Sequence, residues 1–443
     1  MKKGNPVALL PIGVFLLMYL GLGLLLQYGL GIDKGFYCVP IVGAFMVAIL
    51  AACLQDRKRS FDEKLTIMGQ GVGDKNIITM VLIFLVAGAF VGVVGRSSAQ
   101  SVAYFMLSVI PPQFSVAVLF IVSCFISTAM GTSVGTISLL VPIAVEVSAA
   151  AGYAPALCIG AVVGGSMFGD NLSVISDTTI AACNGQGCAM KDKFRGNLWI
   201  ALPAAVMTLV IILLLTARMD AAPVIGEYDL LLILPYVLVL IGGVAGVNVF
   251  LVLIAGIVSG AVMVLATGSI VPGPGQTVLS QLLANMGNGM SGMFETSMVA
   301  VLVAALCALI RADGGFDALL SCIRRIFRGK RGGQLGMGAL VMMMDVATAN
   351  NTVAIVMANP IAREMSEEYG ITPQRTACLL DTFSCIAQGI IPYGAQLLTA
   401  VFMAEAVGVT AFDIIPNLFY PFMLLICSLV AIAFTGKGKR KSA

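Results

Sequence analysis

The chain has 443 residues, of which 59% are hydrophobic and 11% charged, and its formal net charge is +3. This composition excludes a soluble globular protein, and windows of about 18 to 25 apolar residues recur along the whole length. The absence of histidine excludes a Cys/His zinc site, and the eleven scattered cysteines are interpreted as small hydrophobic residues. The sequence therefore predicts an all-α polytopic membrane protein.

The first half of the chain, residues 1–218, contains six predicted elements. In chain order they are helices at 7–30, 36–54 and 76–95, a hairpin at 113–150, a broken helix at 155–185 and a helix at 197–216. The third helix is expected to end at Gly95, and the hairpin is expected to turn at Gly131-Thr132-Ser133. Basic residues at 191–195 are predicted to form a loop before the last helix.

The second half, residues 219–443, repeats this order. Its predicted elements are helices at 229–243, 247–266 and 294–311, a hairpin at 335–368, a broken helix at 376–400 and a helix at 415–435. Asn350-Asn351-Thr352 is the predicted hairpin tip. A shift of 218 positions overlays 129–155 on 347–373 with nine of 27 residues identical, including Pro-Ile-Ala-x-Glu in register. We therefore predict two repeats with five transmembrane helices each.

The topology follows from the number of crossings. Five crossings per repeat make the second repeat inverted relative to the first, and both termini then lie on the same side. With the N-terminus in the cytoplasm, 22 of the 25 Lys and Arg residues fall on the cytoplasmic side, as the positive-inside rule requires. We expect a multi-pass protein of a prokaryotic plasma membrane with both termini cytoplasmic. The number of crossings per repeat is odd whether 113–150 and 335–368 are re-entrant or fully spanning, so the topology leaves both possibilities open. Their short arms and polar tips favour re-entrant hairpins.

Polar residues inside apolar runs mark the candidate site. Inverted repeats with broken helices are typical of secondary transporters, which bind substrate near the bilayer midplane, and an ionisable residue there indicates function. The candidate ligands for a hard cation come from the first break and the first tip: Asp170, Asn171, Ser173, Ser176, Asp177, Thr178, Thr132 and Ser133. For both aspartates the competing interpretation is that they cap half-helices.

The second half offers candidates for the transport pathway. They are Asn350, Asn351, Thr352, Asp345, Asp381, Gln388 and Gln396. Asp381 could equally form a helix–helix hydrogen bond. Only the first break carries carboxylates, and burial disfavours the charged form of an aspartate. Competition between a proton and a cation for Asp170 or Asp177 is then the simplest exchange mechanism.

Two motifs resemble a known family. Gly131-Thr-Ser-Val-Gly-Thr136 and Phe168-Gly-Asp-Asn-Leu-Ser-Val-Ile-Ser-Asp-Thr-Thr179 resemble those of the NhaC family of Na⁺/H⁺ antiporters, within the ion transporter superfamily. The resemblance implies inverted repeats, re-entrant hairpins, broken helices, a homodimer and exchange of Na⁺ for H⁺. Asn171 replaces a common lysine and Val174 a proline. This variant looks more like a branch proposed to carry amino acids or organic anions.

The leading prediction is a Na⁺/H⁺ antiporter that works by alternating access. The alternative is a Na⁺- or H⁺-coupled carrier of an amino acid or small carboxylate. An intramembrane enzyme lacks support, since there is no histidine and no metal-ligand pair. A primary pump is excluded because the sequence has no P-loop. A channel is disfavoured because tips entering from both faces suit alternating access. The expected partners are the lipid bilayer, Na⁺ and H⁺, with no cofactor and no nucleic acid.

Overall fold

The computed structural model describes residues 4–32, 38–174, 176–217, 225–245, 247–270, 272–273 and 275–434, and in these ranges it contains helices and no strand. Nine helices in these ranges are apolar and long enough to cross a membrane. A tenth span results if the bent pair Ala411–Asn417 and Phe419–Phe434 counts as one. The prediction of an all-α polytopic membrane protein is confirmed.

Nine helical segments form the first half as far as residue 216. They are α1 (6–29, including two stretches of π-helix), α2 (Ile41–Gln55), α3 (Phe61–Val72), α4 (Lys75–Val109), α5 (Pro112–Met130), α6 (Ser133–Ala151), α7 (Pro155–Leu172), α8 (Asp177–Gln186) and α9 (Met190–Thr216). The pair α5 and α6 forms the first hairpin. The pair α7 and α8 forms the first broken helix.

The second half also has a hairpin, a broken helix and a final helix, in the same order. Its helices are α10 (Leu230–Val244), α11 (Val249–Thr267), α12 (Val278–Gly292), α13 (Phe294–Ala312), α14 (Gly315–Ile326), α15 (Gly329–Thr348), α16 (Asn351–Tyr369), α17 (Pro373–Ile390), α18 (Ala395–Met403) and α19 (Phe419–Phe434). The pair α15 and α16 forms the second hairpin. The pair α17 and α18 forms the second broken helix.

At the hairpins and the broken helices, several corresponding helices begin 218 positions apart. The second hairpin arms begin at Ser133 and Asn351, and the broken helices begin at Pro155 and Pro373. Both hairpin tips turn through a left-handed residue, Gly131 at φ 69° and its equivalent Ala349 at φ 45°. The repeat limits and the inverted orientation of the halves stay predictions, and residues 218–224 at their junction lie outside the described ranges.

Some predicted boundaries differ from the structure. The helices α3, α12 and α14 were not predicted, because each is amphipathic or polar and was interpreted as a connection. The predicted end of the third helix at Gly95 is confirmed as a break, since Gly95 has a non-helical backbone (φ 70°, ψ 177°), and a second helical stretch bends away there and continues as far as Val109. Just after the bend, Arg96 forms an ion pair with Glu146 of α6 at 2.6 Å. This contact joins α4 to the first hairpin.

The first hairpin has longer arms than expected. Each arm has 19 residues and therefore spans about 28 Å at 1.5 Å per residue. Both arms are apolar enough to cross a membrane. The re-entrant character of 113–150 and 335–368 stays a prediction, and the expected shortness of the first pair is wrong.

Close glycine packing holds the first broken helix against the first hairpin. A Cβ atom at Gly169 would lie 2.3 Å from the Ser127 Cβ, and one at Gly165 would lie 2.4 Å from the Phe120 carbonyl oxygen. Small residues let membrane helices approach this closely. The Ser127 hydroxyl also donates a hydrogen bond of 2.6 Å to the Ser166 carbonyl. The hairpin and the break are thereby fixed relative to each other.

Candidate functional site

The first helix break exposes backbone groups next to a buried carboxylate. The helix α7 ends at Leu172 and α8 begins at Asp177, while Ser173 and Ser176 adopt extended backbone conformations. Ser176 caps α8 by accepting a hydrogen bond from the Thr179 N–H at 3.3 Å. Its hydroxyl also donates to the Asp170 carbonyl at 3.0 Å. The Ser176 hydroxyl thus caps the start of α8 and at the same time holds the end of α7.

Asp170 is the carboxylate at the centre of this break. Its side chain is buried, and Ser133 of the first hairpin tip donates to its Oδ2 atom at 2.9 Å. Thr178 of α8 approaches its Oδ1 atom at 3.5 Å. Carboxylate and hydroxyl oxygens together form the type of ligand set that hard cations prefer.

A chain of side-chain hydrogen bonds connects Asp170 to the second half. Gln396 of α18 donates to the Ser133 hydroxyl at 3.1 Å. Gln388 of α17 donates to the Gln396 Oε1 atom at 2.7 Å and to the Ala349 carbonyl at 3.0 Å. Both breaks and both tips thus meet in one hydrogen-bond network that includes the Asp170 carboxylate.

Each hairpin tip begins its second arm with a polar cap. The Thr132 hydroxyl accepts from the Gly135 N–H at 3.4 Å, and the side-chain Oδ1 atom of Asn350 accepts from the Val353 N–H at 3.0 Å. The amide nitrogen Nδ2 of Asn351, which is buried, has no hydrogen-bond partner among the described residues. The same is true of the Gln388 Oε1 atom. These two atoms leave a donor and an acceptor available to a bound solute or ion.

A chamber of about 550 Å³ lies where the tips and breaks meet. Ten of the fifteen predicted site residues line it: Thr132, Ser133, Asp170, Asp177, Thr178, Asn350, Asn351, Thr352, Gln388 and Gln396. The opposite wall comes from α4 and from the start of α11. The Asp177 side chain is exposed to the chamber, in contrast to Asp170.

The other five predicted residues do not line the chamber. Asn171 is buried and accepts a hydrogen bond of 2.5 Å from Asn197 at its side-chain oxygen. Ser173 and Ser176 are buried in the break itself. Asp345 faces the Gln388 backbone from α15, and neither of its carboxylate oxygens has a hydrogen bond of normal geometry among the described residues.

Asp381, the last of these five residues, forms a buried ion pair with Lys193. Their side chains are 0% and 1% exposed. The prediction that 191–195 is a basic loop is wrong, since these residues belong to α9 and Lys193 points into the protein. Burial of Lys193 is tolerated because a carboxylate from the other half of the chain neutralises it.

Sequence reasoning also missed three polar residues of the chamber wall. Lys75 and Thr79 of α4 line the chamber, as does Asn248, which caps α11. The ammonium group of Lys75 is near enough to Asp177 to interact with it electrostatically. Lys75 was assigned to a cytoplasmic cluster because it follows a polar stretch. Its position at the first residue of a long apolar helix was the available signal.

The family follows from the sequence match. A model of the Na⁺/H⁺ antiporter family matches residues 38–218 and again residues 216–438. The chain belongs to the Na⁺/H⁺ antiporter family. Because the model matches each half separately, the family assignment covers both helix breaks and both hairpin tips.

Characterised relatives agree with this assignment. The chain is 24% identical over 415 residues to the Na⁺/H⁺ antiporter NhaC of Alkalihalophilus pseudofirmus, covering 86% of each protein. It is 25% identical over 392 residues to the Na⁺/H⁺ antiporter NhaC of Bacillus subtilis, covering 81% of this chain and 84% of that one. The predicted resemblance to the NhaC family is confirmed.

One solved structure matches this chain over nearly its full length. The YdaH transporter of Alcanivorax borkumensis is 14% identical, with 97% of this chain and 98% of that chain covered and a TM-score of 0.43. At this score the folds correspond only loosely, so the family assignment depends on the sequence matches.

Proposed function

We propose that this chain is a secondary active transporter that exchanges Na⁺ for H⁺ at Asp170. The observation that carries the proposal is the buried carboxylate of Asp170. It accepts hydrogen bonds from the Ser133 and Thr178 hydroxyl groups and lies at the edge of a chamber between the two halves. The sequence similarity to two Na⁺/H⁺ antiporters supports the same activity.

The exchange follows from competition for one negative charge. When Asp170 holds a proton, it is neutral and binds Na⁺ poorly. When Na⁺ enters from the chamber, its charge favours the ionised carboxylate, and the proton leaves. Each occupied state is neutral, whereas an empty ionised Asp170 is costly to bury. Because of this cost, the site changes its access between the two sides of the membrane only when Na⁺ or a proton is bound, and transport without exchange is disfavoured.

Access to the site from each side of the membrane completes the mechanism. We propose inverted halves, both termini in the cytoplasm of a prokaryotic cell, and a homodimer. The hydrogen bond from Gln396 to Ser133 joins the halves next to Asp170, and within the second half Gln388 donates to Gln396. A change at Asp170 therefore reaches both hairpin tips. Light scattering in detergent would test the dimer.

A liposome assay tests the exchange directly. The purified chain is reconstituted with a trapped pH dye, and Na⁺, Li⁺ or K⁺ is added outside. We expect Na⁺ to change the internal pH, and we expect Asp170→Asn to abolish the response with the protein still folded. Asp192→Asn is the matched control, because Asp192 is exposed. No response to any cation at any pH would refute the proposal.

A second candidate function is coupled transport of a small carboxylate. The specific observation is that the chamber contains Lys75 and the free Nδ2 donor of Asn351. Its volume of about 550 Å³ falls in the range of small-molecule sites and is far larger than one Na⁺ needs. A carboxylate could bind between these two groups.

Uptake of labelled solutes separates the two candidates. In the same vesicles, three- and four-carbon carboxylates and amino acids are supplied with and without a Na⁺ gradient. Lys75→Met should abolish uptake of a carboxylate, and Lys191→Met, at an exposed position of α9, should not. Absence of uptake for every solute would leave Na⁺/H⁺ exchange as the function.

A further inference from the structure

The ammonium group of Lys193 has three oxygen partners. It donates to the Asn171 carbonyl at 2.6 Å and to the Thr179 hydroxyl at 2.8 Å, and it forms an ion pair with the Asp381 Oδ2 atom. A carbonyl, a hydroxyl and a carboxylate are also the ligands that a hard metal cation takes in proteins.

The helix break supplies two of these ligands. The Asn171 carbonyl belongs to the last turn of α7, where carbonyl groups lack intrahelical partners and the helix dipole is negative. Thr179 lies in the first turn of α8. The Lys193 ammonium therefore bridges the two ends of the break. Lys193 and Asp381 do not line the chamber, so this bridge lies outside it.

The Lys193 cluster is next to the Asp170 site. Thr178 faces Asp170 with its hydroxyl group and also lies against Asp381. Asp170 and Asp381 are near enough to repel each other electrostatically. Two carboxylates thus flank one helix break, and a positive charge neutralises one of them permanently.

We propose that the broken helix contains two cation sites, and that the Lys193 ammonium is a tethered cation that occupies the second one. Removal of the lysine side chain then leaves a Na⁺ site formed by Asn171, Thr179 and Asp381. The site itself does not depend on the proposed antiport. The consequence for exchange is that one cation fewer is carried than two open sites would allow, and this consequence rests on the proposed function.

An ion pair that only stabilises the fold is the competing explanation. Replacement of a buried pair by neutral side chains is often harmless, whereas removal of one partner is strongly destabilising. Both explanations therefore predict that Lys193→Ala is unstable in the absence of Na⁺. Only the tethered-cation proposal predicts that Na⁺ restores stability.

The experiment measures thermal unfolding in detergent, with Asp170→Asn as the background so that the chamber site does not contribute. In Asp170→Asn alone we expect no shift of the melting temperature with Na⁺. In Asp170→Asn/Lys193→Ala we expect an upward shift that grows with the logarithm of Na⁺ concentration and that choline does not reproduce. Addition of Asp381→Asn should abolish this shift.

Lys193→Gln is a second variant, whose amide oxygen extends along the path of the lysine side chain towards the vacated position. It should bind Na⁺ more tightly than Lys193→Ala and show its shift at lower Na⁺ concentration. If neither variant shows a Na⁺-dependent shift, or if neither folds in membranes extracted with NaCl or with choline chloride, the proposal is overturned. The assay detects binding, so its failure is distinct from a failure of wild-type exchange in liposomes.

Discussion

Gln396 donates a hydrogen bond of 3.1 Å to Ser133, although the two residues are 263 positions apart. This bond joins the second broken helix to the first hairpin tip. Ser133 in turn donates to Asp170. The charge state of Asp170 is therefore connected to the second half through the Ser133 hydroxyl group.

Ser133→Ala should weaken Na⁺ binding. The substitution removes a hydrogen bond to a charged acceptor and a hydroxyl ligand, and such a bond contributes about 1.5–3 kcal/mol. We expect the Na⁺ concentration for half-maximal exchange to rise about tenfold. Ser115→Ala is the control, because the Ser115 hydroxyl donates to the Pro112 carbonyl away from the chamber. An unchanged Na⁺ dependence in Ser133→Ala would show that this hydroxyl is not a ligand.

Gln396→Leu should uncouple the halves without unfolding the protein. The side chain loses two hydrogen bonds, and the Gln388 Nε2 atom keeps its bond to Ala349. We expect slower exchange with a stability loss of about 1 kcal/mol. Exchange rate and melting temperature are measured together. Gln113→Leu, at an exposed position of α5, should change neither, and an equal exchange rate in both variants would contradict the coupling role.

The two hairpin tips should respond in opposite ways to Ala/Gly exchange. Gly131 and Ala349 both adopt a positive φ, which costs a residue with a Cβ atom about 1 kcal/mol. Gly131→Ala should therefore lower the melting temperature, while Ala349→Gly should raise it or leave it unchanged, because glycine also gains entropy in the unfolded chain. A large loss of stability in Ala349→Gly would show that the Ala349 methyl group is needed for packing.

Gly169→Ala should disrupt the contact between α5 and α7. A Cβ atom there would meet the Thr128 backbone nitrogen at 2.4 Å, and overpacking of this kind costs about 1–3 kcal/mol. We expect a lower melting temperature and impaired exchange. Gly287→Ala is the matched control, since a Cβ atom at this helical position meets nothing within 4 Å. It should be stabilising by up to about 1 kcal/mol.

The sequence was sufficient to locate the breaks and the tips, because polar residues inside apolar runs are conspicuous. Asp170, Ser133, Gln388 and Gln396 were all identified as candidates in this way, and the structure brings them into one network. The roles of these residues as ligands remain predictions. The local sequence pattern does not show which residues of distant segments contact each other.

Lys193 illustrates this limit. A lysine at the start of an apolar run has the same appearance in sequence whether it lies in a cytoplasmic loop or turns inward to a buried acid. Its partner Asp381 belongs to the other half of the chain, so only the fold reveals the pair. Lys75 was missed for the same reason, since its contact with the chamber depends on the placement of α4 against both tips.

The close packing of α5 on α7 at Gly165 and Gly169 has a consequence for motion. Helices that interlock at this distance cannot slide past each other, so the first tip and the first break move as one rigid body. The polar residues of the opposite wall, Lys75, Thr79 and Asn248, face this rigid body across the chamber.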